Sequence, residues 1–329
     1  MSQKRRPLGS RVVAIGGGTG LPVVLTGLKR YLGSRLDSLT AVVTVADEGG
    51  SSGRLRAEYD VLPPGDFRNC LVALAEVEPL MGQLFQYRFG GSGTLAGHNF
   101  GNLFLTALTH VTGDFLQAIR VSSKILAVRG TILPSTLDNV RLGAECSDGS
   151  VVMGEPEIAK TGKSIKRVFL EPAKCRPLPE TLEAISQADL VVLSPGSLYT
   201  SLLPNLLVPG IADALRRSAA SKIYVANLMT EPGETDGYTL SEHVAALIEH
   251  TGGGVIDSVL VNARSAGERT LARYAETGAY PVALDLERVS AWGVSVQQAD
   301  LLGTEEKARH HAQKVGRALL GLLSKNGKS

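Results

Sequence analysis

Several stretches of this sequence combine glycines with hydroxyl and acidic residues in a pattern that favours phosphate binding. The first is the turn Gly16–Gly20 (GGGTG), which follows four apolar residues and precedes a helical pattern. At such a strand–helix turn, free backbone N–H groups and the helix dipole attract anions. The turn matches the dinucleotide pattern G-x-G-x-x-G incompletely, because Leu21 replaces the third glycine, and no Walker lysine follows. We predict a phosphate-binding turn; the alternative is a tight turn without a ligand.

A second glycine-rich loop, Gly49–Gly53 (GGSSG), follows the next apolar segment. Its consecutive N–H groups and serine hydroxyls suit an anion nest, and two such loops at adjacent strand ends suit a diphosphate. A plain surface loop is the alternative. Asp47 stands where a carboxylate accepts a ribose hydroxyl, but it lies beyond the usual spacing of roughly 20 residues, which weakens an NAD interpretation. Its alternative role is to cap a turn or a helix.

Three further residues have side chains suited to proton transfer or metal binding. Asp66, in PPGDFRN, is either an acid–base group or only the cap of the following helix. His98, in HNFGN, is an acid, a base or a phosphate donor, or else an ordinary loop residue. Asp236, together with Asp47, would hold Mg²⁺ through a bound phosphate. The sequence has no H-E-x-x-H and no zinc-type spacing.

The elements that must position these residues alternate between strands and helices. Apolar runs predict strands at 12–15, 40–46, 188–193, 223–226, 256–261 and 281–284. Helical patterns separate most of them, including 66–77, 101–111, a helix opened by a capping box at Thr239 and Glu242, and a last helix over 304–323. This alternation predicts an α/β fold with a mostly parallel sheet covered by helices on both faces.

Five of the predicted strands are followed by a small or polar residue. These residues are Gly16, Asp47, Ser194, Asn227 and Asn262. Because ligands bind beyond the carboxyl ends of the strands in open parallel sheets, we expect these residues to line one crevice. The alternative is that turn residues are small and polar in any case.

The helix signal fades between residues 125 and 177. Asp148–Gly149 predicts a hairpin turn, and residues 164–170 alternate loosely between apolar and polar types. We predict a small β-rich insertion over 125–177, with residues 10–124 and 178–325 forming a nucleotide-binding core. Irregular loops within one domain are the alternative.

Length and composition exclude several classes of protein. The chain has 329 residues, of which 43% are apolar, and this suits one large α/β domain or two smaller ones. A net charge of +2 gives no support for nucleic-acid binding. Three scattered cysteines, with no signal peptide or membrane span, favour the cytoplasm. With 37 residues in 329, glycine is more frequent here than its usual share of about 7%. This excess indicates many turns or places where the backbone approaches a ligand closely.

The motifs form a recognisable series along the chain. GGGTG (16–20), DEGGSSG (47–53), PPGDFRNC (63–70), HNFGNL (98–103) and NLMTEPGETDG (227–237) together resemble the YvcK family of bacterial proteins, the gluconeogenesis factors or UPF0052, within the wider CofD-like group. The resemblance implies a Rossmann-like three-layer α/β/α fold and a cytoplasmic protein that binds a uridine-diphosphate sugar such as UDP-N-acetylglucosamine. It also implies a role in cell shape during growth on gluconeogenic carbon sources, exerted through cell-wall (peptidoglycan) synthesis proteins, with a homo-oligomer allowed.

The same resemblance adds two contacts and an alternative activity. Tyr274 and Arg309 align with residues that look like sugar-nucleotide contacts, so that Tyr274 would stack on a ring and Arg309 would pair with the diphosphate. Ala312 stands where family members can be phosphorylated, so we expect that control to be absent. CofD itself transfers a phospholactyl group from a guanosine-diphosphate-linked donor to a deazaflavin with Mg²⁺, but the glycine–serine loop and PPGD depart from its pattern.

We therefore predict a regulatory protein that binds a nucleotide sugar without catalysis. A Mg²⁺-dependent transferase using Asp47, Asp66, His98 and Asp236 is the second hypothesis, and an NAD-dependent oxidoreductase is the least supported. The residues predicted to contact the ligand are Gly16, Gly17, Gly18, Thr19, Gly20, Asp47, Gly50, Ser51, Ser52, Asn69, His98, Asn102, Ser194, Gly196, Ser197, Asn227, Thr230, Asp236, Asn262, Tyr274 and Arg309.

Overall fold

A seven-stranded parallel sheet forms the centre of the computed structural model, which describes residues 9–76, 79–303 and 308–326. Its strands are β1 (Ser10–Gly16), β2 (Leu36–Val43), β3 (Thr131–Pro134), β7 (Leu190–Leu193), β8 (Ser221–Val225), β9 (Ser258–Asn262) and β10 (Ser295–Ala299). The order is β10-β9-β8-β7-β1-β2-β3, with every neighbouring pair parallel. The direction in which strands are added reverses between β1 and β7, and such a switch point is where ligands bind in open α/β sheets.

The central strands are continuous apolar runs because both faces of the sheet are covered. Val12–Ile15 of β1 and Leu190–Leu193 of β7 are buried along their whole length. Parallel strands of this kind lack the apolar–polar alternation of half-exposed strands. The predicted α/β class and the three-layer, Rossmann-like arrangement are confirmed.

Helices connect the strands and cover the sheet. In chain order they are α1 (Gly20–Lys29), α2 (Gly50–Tyr59), α3 (Gly65–Leu74), α4 (Pro79–Gln86), α5 (Phe100–Thr112), α6 (Phe115–Ile125), α7 (Glu155–Lys160), α8 (Pro179–Ser186), α9 (Leu203–Leu206), α10 (Ile211–Arg217), α11 (Leu240–Thr251), α12 (Glu268–Ala275), α13 (Leu286–Ala291) and α14 (Ala312–Asn326). A π-helical turn, Leu198–Leu202, leads directly into α9. Helix α1 packs against α3 and α14, while α9 and α10 pack together with α8 and α11.

A small antiparallel sheet stands apart from the central one. Its strands are β4 (Arg141–Cys146), β5 (Val151–Met153) and β6 (Ile165–Glu171), in the order β5-β4-β6. The turn predicted at Asp148–Gly149 joins β4 to β5, and Gly149 adopts a left-handed φ of 83° there. We expected the insertion to begin at residue 125, but β3 pairs with β2 in the large sheet, so the antiparallel part begins at Arg141.

Three local predictions differ from the structure. The strand predicted at 281–284 forms only isolated bridges, Met229 with Pro281 and Thr239 with Ala283, and Pro281 has no N–H to extend a ladder. Strand β10 was missed because its sequence, SVQQA, is largely polar. The last helix begins at Ala312 rather than at 304, and residues 304–307 lie outside the described residues.

No single helix in the described ranges is long and apolar enough to cross a membrane. The segments Leu198–Leu206 and Ile211–Arg217 reach the required length only when joined across a 72° bend.

Candidate functional site

Two adjoining cavities open at the carboxyl ends of β7, β8 and β9, beside the start of α1. The main cavity has a volume of about 390 Å³. It is lined by the start of α1, by the loops that follow β7 and β8, and by Tyr274 and Arg309. The side cavity, of about 250 Å³, lies at the β8 and β9 ends under α12. Of the predicted ligand residues, the main cavity contains Thr19, Gly20, Gly196, Asn227, Thr230, Tyr274 and Arg309.

Packing inside the protein, rather than ligand approach, requires glycine at three positions of the first turn. A Cβ on Gly16 would lie 1.9 Å from the Ser194 Oγ, and one on Gly20 would lie 1.7 Å from the Pro195 carbonyl oxygen. At Gly17 a Cβ would lie 2.5 Å from the Asp66 Oδ2. Loss of these glycines would therefore disrupt the fold before it affected a ligand.

Side chains around the turn hold its backbone in place. The Asn205 Nδ2 donates to the Gly16 carbonyl (3.2 Å), and the Asn69 Nδ2 donates to the Gly18 carbonyl (3.3 Å). Gly18 has a left-handed φ of 58°, which strains other residues. The turn thus has a fixed shape, and Thr19 and Gly20 are the members that reach the main cavity.

The α1 start suits an anion. Thr19 is the N-cap residue and is exposed, but its hydroxyl makes no capping hydrogen bond. Helix α1 has no acidic residue in its first turn to offset the dipole. Opposite it, Arg309 supplies an exposed guanidinium, which pairs well with phosphate oxygens.

Several predicted polar residues bond to the protein itself. Asn227 accepts a hydrogen bond from the Gly196 N–H (2.9 Å) and donates one to the Gly196 carbonyl (2.8 Å). These two bonds connect the loop that follows β7 to the end of β8. Asn262 accepts from the Leu301 N–H at 3.0 Å and donates to the Arg264 carbonyl. These amides shape the cavities, since their hydrogen-bonding groups already have protein partners.

The loops after β7 and β8 are joined in the same way. Ser197 donates to Glu231 at 2.7 Å, and the Thr230 hydroxyl accepts from the Tyr280 N–H at 2.9 Å. Ser194 is buried against Gly16, and its hydroxyl has no hydrogen-bond partner. Asp236 is exposed and accepts from the Gly233 N–H (2.9 Å).

The remaining predicted residues lie near the end of β2, and two of them, Asp66 and Asn69, contact the first glycine turn. This β2-side cluster consists of Asp47, Ser51, Ser52, Asp66, Asn69, His98 and Asn102 together with Gly50, which begins α2. Ser51 lies 3.2 Å from the His98 Nδ1, and Ser52 hydrogen-bonds Asp47. The N-cap residue of α3 is Pro64, and Asp66 lies two residues later, inside the first turn of the helix. The alternative prediction that Asp66 is the N-cap is therefore wrong.

Acidic residues that the sequence did not single out complete a carboxyl cluster with Asp47 and Asp66: these are Glu155, Glu231 and Glu234. Burial and the Asp47 charge raise the pKa of Asp66 and of Glu155 to about 7. Burial and the Glu231 charge raise the pKa of Glu234 to about 8. Glu234 lies within NLMTEPGETDG and Glu155 in the insertion, and no pattern in the chain links the two.

A metal site at Asp47 and Asp236 is not formed by the residues described. Asp47 belongs to the carboxyl cluster, whereas the Asp236 side chain is exposed in the loop after β8. Across the described ranges, no three His, Cys, Asp or Glu side chains converge in a geometry that could hold a metal ion. The donor set therefore does not fit a preformed metal cage.

His310 is a cavity residue that the sequence prediction missed. It lines the main cavity next to Arg309, and burial lowers its pKa to about 4, so the ring is neutral near pH 7. Its hydrogen bond to the Ala226 carbonyl ties this segment to the end of β8. The only signal in the sequence is its place beside Arg309.

The sequence is similar to one family model and to several known proteins. A family model described as 2-phospho-L-lactate transferase CofD matches residues 12–302. A protein called gluconeogenesis factor from Halalkalibacterium halodurans is 51% identical over 310 residues, covering 94% of this chain and 95% of its own. The gluconeogenesis factor of Bacillus subtilis is 48% identical over 314 residues, covering 95% and 98%.

A solved structure has the same fold as this chain. The crystal structure of a UPF0052 family member from Bacillus halodurans superimposes with a TM-score of 0.92 at 50% identity. The match covers 95% of this chain and all of that one.

Proposed function

Because the chain belongs to the CofD family and is closely similar to gluconeogenesis factors, we propose that it is a regulatory protein that binds a uridine-diphosphate sugar in the main cavity. The observation that carries this proposal is the pairing of the α1 start with Arg309 across one cavity. A helix start and a guanidinium together provide two positive groups for a diphosphate.

Several features of the main cavity support a nucleotide sugar over a smaller anion. Its volume of about 390 Å³ lies within the range of small-molecule sites, and it adjoins the side cavity. Tyr274, half-buried in the wall, offers a ring for stacking on a base or sugar.

Thermal-shift titration with UDP-N-acetylglucosamine, GDP and NAD tests the proposal. A ligand present at 100 times its Kd stabilises a protein by about 2.7 kcal/mol, so a shift of several degrees is expected with UDP-N-acetylglucosamine alone. The ligand should remain intact after incubation. A shift with NAD but with no uridine nucleotide would overturn the proposal.

Arg309→Ala tests the diphosphate contact, with Arg317→Ala as its matched control. Losing a charge-assisted contact should weaken UDP-N-acetylglucosamine about 10- to 100-fold. Arg317 is exposed on α14 and lines neither cavity, so its variant should bind as the wild type does. Equal affinities for both variants in isothermal titration would remove Arg309 from the site.

The regulatory role is tested in cells. We propose that the liganded protein acts in the cytoplasm on cell-wall synthesis through a partner protein. Deleting the gene should deform cells grown on gluconeogenic carbon sources, and wild-type protein but not the Arg309→Ala variant should restore their shape. Full rescue by a variant shown to bind no ligand would separate the cellular role from the cavity.

A transferase is the second candidate, favoured by the family description and by the buried pair Asp47 and Asp66 next to the glycine turn. A carboxyl whose pKa lies near 7 suits proton transfer. The discriminating experiment supplies a guanosine-diphosphate-linked donor, a deazaflavin acceptor and Mg²⁺. Metal-dependent consumption of the donor, abolished in Asp66→Asn, would establish the transferase instead.

A further inference from the structure

We propose that the side cavity is the nucleoside subsite, so that the ligand extends from α1 towards β9 and not towards β2. This inference rests on the proposed function, since it assumes a nucleotide in the main cavity. The ligand class it specifies is a nucleoside diphosphate whose base packs between apolar side chains under α12.

The two cavities lie next to each other. They share Asn227, Leu228, Met229 and Ala308 as common wall residues. A diphosphate held between Thr19 and Arg309 would therefore have the side cavity next to one of its ends. At about 250 Å³ the side cavity is smaller than typical sites for whole ligands, which suits it to one part of a larger molecule.

The lining of the side cavity suits a flat ring with apolar faces. Val261 and Val282 are buried in its wall, Leu302 lies beside them, and Leu271 covers it from α12. The apolar faces of a base gain from leaving water in such surroundings. The backbone of 263–266 also lines the cavity and supplies polar groups at its edge.

The opposite direction, used by dinucleotide-binding Rossmann domains, is less favourable. There the ribose meets an acidic residue at the end of β2. Here Asp47 is partly exposed, but it already accepts hydrogen bonds from the Gly49 N–H (2.9 Å) and from Ser52. A Cβ on Gly65 would lie 2.3 Å from the Ser52 Oγ, so the start of α3 packs closely against the start of α2. Asp47 is therefore engaged by its own loop, which favours the side cavity over Asp47 as the place of the nucleoside.

Helix α12 is placed to act as the cover of this subsite. None of its residues is fully buried, and two of its partly covered side chains, Leu271 and Tyr274, line the side and main cavities respectively. The two residues are three positions apart, so they share one face of the helix. One short helix thus contacts both halves of the proposed ligand.

The test fills the side cavity with a tryptophan. Ala266 lines it, whereas Ala272 is exposed on α12 and lines neither cavity, so Ala266→Trp and Ala272→Trp form a matched pair. We expect Ala266→Trp to weaken UDP-N-acetylglucosamine about 10- to 100-fold and to leave pyrophosphate binding unchanged. Ala272→Trp should bind both as the wild type does. Leu284→Trp, at a partly exposed wall position, repeats the test if Ala266→Trp does not fold.

The outcomes separate the inference from the proposed function. If the wild type binds UDP-N-acetylglucosamine and both cavity-filling variants bind it equally well, the base lies elsewhere and the inference is wrong while the proposed function stands. A parallel loss of pyrophosphate would place the obstruction at the diphosphate and also contradict the inference. If the wild type binds no uridine nucleotide, the proposed function fails and the inference fails with it.

Discussion

At the scale of single residues, the glycines of the first turn differ in what they contribute. Gly16, Gly17 and Gly20 are packed against Ser194, Asp66 and the Pro195 carbonyl, so their lack of a side chain serves the fold. Thr19 is different, because it is exposed and its hydroxyl makes no capping bond. It is therefore the residue of the turn at which ligand binding can be altered without disturbing the structure.

Thr19→Val removes the hydroxyl and keeps the shape of the side chain. Loss of an N-cap bond usually costs about 1 kcal/mol, but no such bond is present, so the melting temperature without ligand should stay the same. Losing a hydrogen bond to a charged phosphate should weaken UDP-N-acetylglucosamine about 10-fold or more. Calorimetric titration and thermal melting measure the two effects. A lower melting temperature with unchanged affinity would show that Thr19 is structural.

At the scale of elements, the position of α1 depends on its crossing with α14. The backbones of the two helices touch where Gly27 meets Gly316, and a Cβ on Gly316 would lie 2.3 Å from the Gly27 carbonyl oxygen. The start of α1 lines the main cavity, and α14 follows the segment that carries Arg309. The crossing of the two helices therefore fixes the position of the α1 start relative to Arg309.

Gly316→Ala should force the helices apart and destabilise the protein by about 1–3 kcal/mol. Gly321→Ala is its control in the same helix, where a Cβ meets nothing within 4 Å. That change should stabilise the protein by up to about 1 kcal/mol, because alanine favours helix. Chemical denaturation measures both free energies of unfolding. If the two variants proved equally stable, the helices would not be in contact at Gly316.

At the scale of the whole molecule, the carboxyl cluster joins four separate parts of the chain, one of which is α3 with Asp66. Asp47 belongs to the loop after β2, Glu155 begins α7 in the insertion, and Glu231 and Glu234 lie in the loop after β8. The insertion also touches this loop directly, since a Cβ on Gly233 would lie 2.3 Å from the Ala159 carbonyl oxygen. Charge in the cluster should therefore affect how firmly the insertion is held.

The raised pKa values make stability depend on pH in a defined direction. The folded Glu234 carboxyl, with its pKa of about 8, holds its proton more tightly than the unfolded one does, with its ordinary pKa near 4.5. Deprotonation therefore costs stability as the pH rises from about 4.5 to 8. Asp66 and Glu155 act in the same direction up to about pH 7.

Glu234→Gln removes one ionisable group of the cluster. The amide keeps an oxygen to accept the hydrogen bond that Thr200 donates at 2.7 Å. Near pH 4.5 the variant should melt close to the wild type, and at pH 8 it should melt at least about 3 °C higher. Glu287→Gln, at an exposed position on α13, should not change the pH profile. A gap between Glu234→Gln and the wild type that is the same at both pH values would contradict the assignment.

Much of the architecture was predictable from the chain because it depends on local pattern. Buried parallel strands are uninterrupted apolar runs, and the Thr239–Glu242 capping box marks the start of α11 as predicted. Strand β10 and the bridges around Pro281 were not predictable, because edge strands need not be apolar and pairing depends on what lies beside them. The family resemblance, which rests on the order of five motifs, was confirmed.

The sequence by itself determined the fold class, the family and the position of the glycine turn between β1 and α1. Only the tertiary structure decided which of the predicted residues share a space. It placed Thr19, Asn227, Tyr274 and Arg309 at the main cavity and the β2-side cluster outside the lining of that cavity. It also brought Glu155 close enough to Asp47 for the Asp47 charge to raise the pKa of Glu155. The physical reason is that strand and helix patterns depend on neighbours along the chain, whereas cavities and buried charges depend on contacts between segments that lie far apart in it.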